Sequence, residues 1–266
     1  MTKLANKVIW LTGASSGIGE ALAYELAKKG AKLILSARRK EELERVKGNC
    51  EKNTQANIRV LPLDLAQPST LKLSTEAALQ IFGHIDILIN NGGVSQRSLV
   101  KDTAVDVDRR LMEVNYFGAV ALTKYVLSHF IKRGGGHFVN VSSLTGKFGT
   151  PFRSGYAASK HALHGFFDAV RAEHHADNIK VTMICPGFIH TPITYAALTA
   201  DGSPLNKMDE GQYKGKPAEW CARRIVTAIE NNKEEVYIGG REVWGAYLKR
   251  FFPTLFSRVI RKASVR

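Results

Sequence analysis

The feature that most constrains the fold is the alternation of short apolar runs with amphipathic helical patterns along most of the 266 residues. Short apolar runs predict strands, and the periodic segments between them predict helices. This alternation favours right-handed crossover units, in which parallel strands form one sheet with helices on both faces. The sequence therefore predicts a single α/β domain with a Rossmann-like, doubly wound parallel sheet of seven strands.

Seven of the apolar runs are the predicted strands: Val8–Leu11, Leu33–Leu35, Ile58–Leu61, Ile85–Ile89, His137–Val141, Val181–Ile184 and Val236–Ile238. The helical patterns are clearest at Ala21–Lys29, Leu71–Phe82 and Tyr156–His175. Ligands of such folds bind at the carboxyl ends of the strands. The residues that follow each strand are therefore the first candidates for function.

The chain is basic, with a net charge of +14 and a pI of about 9.7. Nucleic acid, an anionic membrane surface and anionic small molecules are the partners that such a charge suits. No zinc-finger or RNP motif is present, so nucleic acid is not the predicted partner. The histidines have no acid-rich partner motif, and we predict no metal site.

Three isolated cysteines, Cys50, Cys185 and Cys221, fit neither a disulfide framework nor a thiolate metal site. The N-terminus has no signal-peptide apolar region, and no stretch approaches the roughly 20 apolar residues of a membrane-spanning helix. We therefore expect a reducing, cytoplasmic setting, with any membrane contact confined to the surface.

The first predicted strand runs directly into a glycine-rich segment, Thr12–Gly19, with the spacing G-x-x-x-G-x-G. Glycines allow a tight turn and a close approach of the backbone to a pyrophosphate. The following helix N-terminus adds free N–H groups and a partial positive charge. An ordinary strand–helix turn is the alternative, but the position right after the first strand favours dinucleotide binding.

The end of the second strand indicates which dinucleotide. An NAD site usually has an acid about 20 residues after the glycines, whereas this chain has Arg38 and Arg39 there. Two guanidinium groups suit a 2′-phosphate, which predicts a preference for NADPH. They could instead be solvated residues at the start of the next helix. Asp64 and Asn90–Gly93 follow later strands and are further candidates, although such residues also commonly make turns.

Tyr156 and Lys160 are four residues apart, which puts their Cβ atoms about 5–6 Å apart on one helix face. An ammonium group beside a phenol favours the phenolate, so we expect the pKa of Tyr156 to fall below its usual value of about 10. Such a tyrosine can exchange a proton with a substrate oxygen near neutral pH. The same spacing is also common on solvated helix faces.

Taken together, these motifs resemble the classical short-chain dehydrogenase/reductase family from the first strand to about Thr191. Ser143 precedes Tyr156 by 13 residues, the usual gap in that family. Gly92 is a departure, because the family usually has alanine there, and we expect the missing methyl group to leave cofactor access intact. Two runs, Leu35–Arg39 and Asn90–Ser98, resemble the dehydrogenase/reductase member 7 branch.

The resemblance implies roles for single residues. Tyr156 is the proton donor or base, and Lys160 lowers its pKa and bonds the nicotinamide ribose. Ser143 bonds the substrate oxygen, and Asn115 holds a water that links Lys160 to solvent. Taken singly, Ser143 could instead cap a strand end, and Asn115 could bond backbone within a helix. The implied NADP(H) contacts are Thr12, Gly13, Ser15, Ser16, Gly17, Ile18, Gly19, Arg38, Arg39, Asp64, Leu65, Asn91, Gly92, Gly93, Tyr156, Lys160, Pro186, Gly187, Ile189 and Thr191.

Residues 188–213 show little periodicity and many turn residues. In the family, the segment after Pro-Gly closes over the substrate, and a long irregular stretch in a compact domain is often a functional lid. We interpret residues 188–213 as a substrate-binding lid. Its apolar lining would consist of Phe188, Ile189, Ile193, Tyr195, Ala196, Ala197 and Leu198.

The last segment, residues 241–266, combines an apolar helical stripe with basic residues on its flanks. Pro253 should kink this helix or begin a second one. A basic amphipathic helix with aromatic residues is typical of an interfacial membrane anchor, here through residues 244–262. Packing over the substrate cleft or against another subunit is the alternative. We therefore divide the chain into an NADP-binding catalytic domain, residues 1–240, and this tail.

These features predict an NADP(H)-dependent oxidoreductase that interconverts a lipophilic carbonyl compound and its alcohol, with Tyr156 as general acid and base. A steroid, retinoid or fatty carbonyl compound would suit the apolar lid. The alternative is a non-catalytic NADPH-binding scaffold or sensor. The resemblance also implies a homodimer or homotetramer.

Overall fold

Parallel strands run through the middle of the molecule, and the computed structural model describes residues 2–262 of the chain. In chain order the strands are β1 (Val8–Thr12), β2 (Lys32–Ser36), β3 (Ile58–Val60), β4 (Ile87–Asn90), β5 (Gly136–Val141), β6 (Ile179–Pro186), β7 (Ile189–His190), β8 (Lys216–Pro217) and β9 (Glu235–Ile238). The helices are α1 (Gly17–Lys28), α2 (Lys40–Gly48), α3 (Pro68–Ile81), α4 (Val105–Met112), α5 (Gly118–Lys132), α6 (Ser154–Glu173), α7 (Glu210–Tyr213), α8 (Ala218–Glu230), α9 (Trp244–Phe251) and α10 (Pro253–Ile260).

The main sheet has seven strands in the order β3-β2-β1-β4-β5-β6-β9, and all neighbours are parallel. The chain starts in the middle, moves outward to β3, and then returns across β1 to β4. This reversal opens a crevice at the carboxyl ends of β1 and β4, where doubly wound folds bind ligands. The predicted fold class is confirmed.

Both faces of the sheet are buried, because successive side chains of a strand point to opposite sides. In β1, Ile9 and Leu11 belong to the core under α1, α2 and α8, and Trp10 belongs to the core under α3, α5 and α6. All three side chains are fully buried. A strand covered on both faces has to be apolar throughout, which is why such runs identified the strands.

The segment predicted as an irregular lid is more ordered than its sequence indicates. It contains β7, a 3-10 turn at Pro192–Thr194 and the short helix α7. Its main chain also pairs with the loop after β4: Leu198 donates to the carbonyl of Ser95 at 2.9 Å and accepts from Arg97 at 2.8 Å. Because these partners lie about 100 residues earlier in the chain, no local pattern could predict the order.

The C-terminal tail forms two helices that lie against the carboxyl ends of the strands. Pro253 is the first residue of α10, so the proline begins a second helix. Ala246 and Phe256 are buried, and the rings of Phe256 and Phe148 lie 5.1 Å apart. One face of the tail therefore packs over the cleft, as one of the two alternatives supposed. Within residues 2–262, no helix is both long enough and apolar enough to cross a membrane.

Two helical glycines, Gly118 in α5 and Gly165 in α6, test how closely α5 packs against the segment around Leu65. A Cβ atom on Gly118 would lie 2.8 Å from Cβ of Leu65 and 3.0 Å from its carbonyl oxygen. We expect Gly118→Ala to lower the free energy of unfolding by about 1–3 kcal/mol, because the backbone at Leu65 has to move. Gly165→Ala in α6 meets nothing within 4 Å and should raise it by about 0.5–1 kcal/mol. Urea denaturation measures both, and effects of the same sign would contradict the close approach at Gly118.

Candidate active site

The turn between β1 and α1 lies directly against the segment that follows β4. Gly13 has a φ of 64°, and a Cβ atom there would lie 2.7 Å from Cα of Gly92. A Cβ atom on Gly19 would lie 2.0 Å from the carbonyl oxygen of Gly13. Ser16, the N-cap of α1, makes no side-chain capping bond, so the first N–H groups of the helix remain open to a ligand.

Thr12 ties these two segments together from behind. Its hydroxyl accepts hydrogen bonds from the backbone N–H groups of Asn91 and Gly92, each at 3.1 Å. The side-chain amide of Asn91 donates in return to the carbonyl oxygens of Thr12 and Gly13, at 3.1 and 3.0 Å. Thr12 is buried and does not line the cleft, so its part is to hold the cleft's floor.

A cavity of about 1550 Å³ opens at the carboxyl ends of the strands. All the site residues predicted from sequence line it except Thr12 and Asn115. Of the predicted apolar lid residues, Ala197 is buried elsewhere and the others line the cavity. The tail contributes a further wall that includes Trp244, Tyr247, Phe251, Phe252 and Phe256.

Tyr156, Lys160 and Ser143 meet on one side of this cavity. The ammonium group of Lys160 lies 5.8 Å from the centroid of the Tyr156 ring and donates to the carbonyl oxygen of Val141 at 2.8 Å. Ser143 stands at the end of β5 and hydrogen-bonds Tyr156. Its hydroxyl also accepts from the backbone N–H of Thr145 at 3.2 Å. An acid–base group and a hydrogen-bonding hydroxyl therefore face the same space.

The structure corrects the electrostatic prediction for this pair. Burial raises the pKa of Tyr156, and the hydrogen bond with Ser143 and the charges of Arg153 and Arg97 act against that rise. The charges that lower the pKa of Tyr156 in this structure are those of the two arginines, whereas the ammonium group of Lys160 donates to the Val141 carbonyl. Burial also lowers the pKa of Lys160 to about 8.

Asn115 lies in a π-helical segment, Glu113–Phe117, between α4 and α5. Its side chain accepts from the N–H of Val94 at 2.8 Å and donates to the Val94 carbonyl at 2.9 Å and to Ser159 at 3.0 Å. A Cβ atom on Gly93 would lie 3.0 Å from Oδ1 of Asn115 and 3.5 Å from Nζ of Lys160. Both polar groups thus converge on Gly93, although Asn115 lies behind the cavity wall.

Gly92 has a packing reason for departing from the family pattern. A Cβ atom there would lie 2.6 Å from Cδ1 of Leu65. Leu65 lines the cavity and fills the space that an alanine methyl group would take. The departure is therefore matched by a neighbouring side chain.

Arg38 and Arg39 are exposed at the cavity rim after β2, where the sequence predicts a phosphate contact. Asp64 also lines the cavity, and its Oδ1 accepts from the N–H of Ala66 at 3.0 Å. The turn-forming interpretation of Asp64 thus holds, and its side chain still reaches the site.

Glu242 is a site residue that the sequence interpretation missed. Its Oε1 accepts from the backbone N–H groups of Phe188 and Gly240, at 3.1 and 3.0 Å. A Cβ atom on Gly187 would lie only 2.3 Å from that oxygen. The first residue of the lid, Phe188, is thereby bound to the tail. The one available signal was that Glu242 is the single acid in a basic segment.

The sequence interpretation also missed three residues near Tyr156 and the lid, namely Gln96, Arg97 and Arg153. Gln96 is fully buried, and its Oε1 accepts from the backbone N–H of Tyr156 at 3.1 Å. Arg97 and Arg153 line the cavity and both pair with Asp209 of the lid. All three lie in segments without periodicity, so no pattern assigned them a role, although Gln96 and Arg97 belong to the run Asn90–Ser98 that carries the resemblance.

Within residues 2–262, one group of potential metal ligands is close together: His164, Cys185 and Glu235. Lys147 lies 2.6 Å from Oε2 of Glu235, and His164 lies 3.1 Å from the hydroxyl of Ser142. These contacts describe a hydrogen-bonded, ion-paired group behind the active site. His164 is buried.

Comparison with known proteins supports this description. A family model for short chain dehydrogenases matches residues 7–201. Dehydrogenase/reductase SDR family member 7 from Homo sapiens is 45% identical over 257 residues, which cover 95% of this chain and 76% of the human protein. SDR family member 7B from Mus musculus is 42% identical over 261 residues, 97% of this chain and 81% of that protein.

Two solved structures share the fold. A short chain dehydrogenase/reductase from Burkholderia phymatum, in complex with NAD, has a TM-score of 0.84 at 22% identity and covers 96% of each chain. An alcohol dehydrogenase from Thermococcus sibiricus, complexed with 5-hydroxy-NADP, has a TM-score of 0.76 at 22% identity. It covers 88% of this chain and 97% of its own. The resemblance that the motifs indicate is confirmed.

Proposed function

Since the chain belongs to the short-chain dehydrogenase/reductase family, we propose that it is an NADP(H)-dependent oxidoreductase of lipophilic carbonyl compounds and alcohols. The observation that carries the proposal is the convergence of Ser143, Tyr156 and Lys160 on a cavity that also contains the glycine-rich turn. The apolar lid and the aromatic tail around the same cavity favour a substrate of the steroid, retinoid or fatty carbonyl type.

The residues fit a dinucleotide. The uncapped first turn of α1 suits a pyrophosphate. Arg38 and Arg39 take part in no ion pair within residues 2–262, which leaves two guanidinium groups for a 2′-phosphate. The related structures hold NAD in one case and an NADP derivative in the other, so the preference for NADP(H) rests on these two arginines.

When bound, a reduced nicotinamide supplies the hydride, and the protein's own side chains supply the rest. Tyr156 gives a proton to the substrate oxygen in reduction and takes one in oxidation. Ser143 donates a hydrogen bond to that oxygen as negative charge develops on it. The buried ammonium group of Lys160, with its pKa of about 8, can give up or regain a proton near neutral pH. Asn115 keeps Val94 and Ser159 in place beside it.

The proton donor also separates the proposal from the alternative of a non-catalytic scaffold. We expect Tyr156→Phe to lower kcat by about 10²-fold or more, because proton transfer typically contributes 10²–10⁴-fold. An NADPH-consumption screen over steroid, retinoid and fatty carbonyl compounds supplies the assay. Tyr125→Phe is the control, because the Tyr125 side chain on α5 is exposed. Near-normal turnover of the Tyr156 variant would exclude the mechanism, and a scaffold would consume no NADPH with any substrate.

The cofactor preference has its own test. We expect Arg38→Asp to lower the ratio of kcat/KM for NADPH over NADH by about 10-fold or more, because a hydrogen bond to a charged group contributes about 1.5–3 kcal/mol. Lys40→Asp makes the same charge change two residues away, outside the cavity lining, and should leave the ratio near its original value. An unchanged ratio in the Arg38 variant would contradict the assignment.

We also propose that the outer face of the tail contacts an anionic membrane surface, which would make the protein cytoplasmic and peripheral. Trp244, Phe251 and Phe252 are each about two-thirds exposed although they border the cavity. Lys249 and Arg250 stand beside them. Aromatic burial and basic residues both favour such a surface. For the homo-oligomer that the family resemblance implies, we propose a different exposed apolar surface, which includes Phe117, Tyr125 and Ile131.

Co-sedimentation with phosphatidylcholine vesicles, with and without phosphatidylserine, tests the membrane contact. Deleting the tail is unsuitable, because Phe256 and Glu242 hold the site together. We expect the double variant Phe251→Ser, Phe252→Ser to lose at least about 10-fold in vesicle affinity, since each side chain contributes about 1.5–3 kcal/mol when buried. Leu73→Ser, Val100→Ser removes two equally exposed apolar side chains elsewhere. Equal binding by both double variants would contradict the contact.

A further inference from the structure

Two arginines and one aspartate form a buried charged cluster between the lid and the catalytic helix. Oδ2 of Asp209 lies 2.6 Å from Nη2 and 2.7 Å from Nε of Arg97, and 3.3 Å from Nη2 of Arg153. All three side chains are only 6–7% exposed. Two positive charges face one negative charge, so the cluster carries a net charge of +1 at the cavity wall.

The cluster is held rigidly by further bonds. Nη1 of Arg97 donates to the hydroxyl of Ser95 at 2.7 Å and to the carbonyl of Gln96 at 2.6 Å. Oδ1 of Asp209 accepts from the N–H of Gln212 at 3.1 Å and so caps α7 in the lid. Because Arg97 directs its donors at protein acceptors, it acts here as a fixed charge and not as a ligand for substrate.

The same cluster is connected to Tyr156 by short paths. Arg153 is the N-cap residue of α6, the helix that carries Tyr156. Gln96, next to Arg97, accepts the hydrogen bond from the backbone N–H of Tyr156. Phe152, just before Arg153, has a φ of 65°, a costly conformation for a bulky residue that surrounding structure has to maintain. Arg153 also lies over the ring of Phe188 in the lid, 5.6 Å from its centroid.

We propose that Arg97, Arg153 and Asp209 are positioning residues for Tyr156: Asp209 fastens the lid to the two arginines, and their unbalanced positive charge favours the ionised phenol. The proposal rests on the proposed function and adds this cluster to Lys160 as a source of positive charge near Tyr156. It also connects that electrostatic effect to the lid, since Asp209 belongs to residues 188–213.

Other groups also lie near Tyr156. Lys160 lies on the same helix, Ser143 comes from the end of β5, and Cys185 lies near Lys160 on β6. The carboxylate of Asp108, on α4, lies against Gly155, the residue before Tyr156. Burial raises the pKa of Tyr156, and the charges of Arg153 and Arg97 lower it. Removing the charge of Asp209 raises the net charge of the cluster from +1 to +2, which should lower the pKa of Tyr156. Removing one arginine brings the net charge to zero and should raise it.

Titration of the full chain labelled with 3-fluorotyrosine tests these opposite signs. The ¹⁹F signal reports ionisation of each phenol without any turnover, and Tyr156→Phe identifies the signal of Tyr156. We expect Asp209→Asn to shift its titration downward by about 0.5–1.5 pH units, and Arg97→Gln or Arg153→Gln to shift it upward by a similar amount. Damage to the lid alone would move all three variants in one direction.

Matched variants complete the experiment. Glu210→Gln removes a carboxylate from the next residue, which is exposed and paired with Lys214, and should leave the titration unchanged. Asp209→Glu keeps the charge and should restore wild-type behaviour. Shifts of one sign, or none, in the Asp209 and arginine variants would overturn the proposal. An absence of turnover with every carbonyl compound would affect only the proposed function, because the titration needs no substrate.

The lid attachment has a separate readout. Lys207 is exposed within the lid, two residues before Asp209. We expect limited trypsin digestion at Lys207 to become severalfold faster in Asp209→Asn and to stay at the wild-type rate in Glu210→Gln. Equal rates in wild type and Asp209→Asn would exclude the fastening role.

Discussion

The site depends on the close approach of two backbone segments, the turn after β1 and the segment after β4. Gly13 touches Gly92 there, and the hydroxyl of Thr12 bonds the N–H groups of Asn91 and Gly92. The parallel sheet makes this contact possible, because β1 and β4 are neighbours and both end at the same edge. A Cβ atom on Gly13 would lie 2.7 Å from Cα of Gly92 and would force the two segments apart.

Burying charged groups beside the cavity costs free energy. Burial lowers the pKa of Lys160 and raises that of Tyr156, so both groups are less easily ionised than in water. The structure offsets the cost for Lys160 with the Val141 carbonyl, and for Arg97 with Asp209. Buried ion pairs contribute little net stability, yet removing one partner is costly. The charged cluster therefore makes better sense as a positioning device than as a source of stability.

The strands and the motif residues could be predicted because their signals are local. A parallel strand buried on both faces appears in the sequence as a short apolar run. The predicted bounds of β1, β2 and β4 agree with the observed bounds to within a few residues. Helix starts were less accurate: α1 begins at Gly17 inside the glycine-rich turn, four residues before the apolar pattern at Ala21 becomes visible. The lid looked irregular because its order comes from pairing with Ser95 and Arg97, far away in the chain.

The sequence by itself determined the α/β fold, the family, and the motif residues that line much of the cavity, since periodicity and motif spacing act over short stretches of chain. Only the tertiary structure decided which charges act on Tyr156. Arg97 and Asp209 are 112 residues apart, and Arg153 and Asp209 are 56 residues apart. Electrostatic effects depend on distance and burial in space, and neither can be read from loop residues that have no periodic pattern.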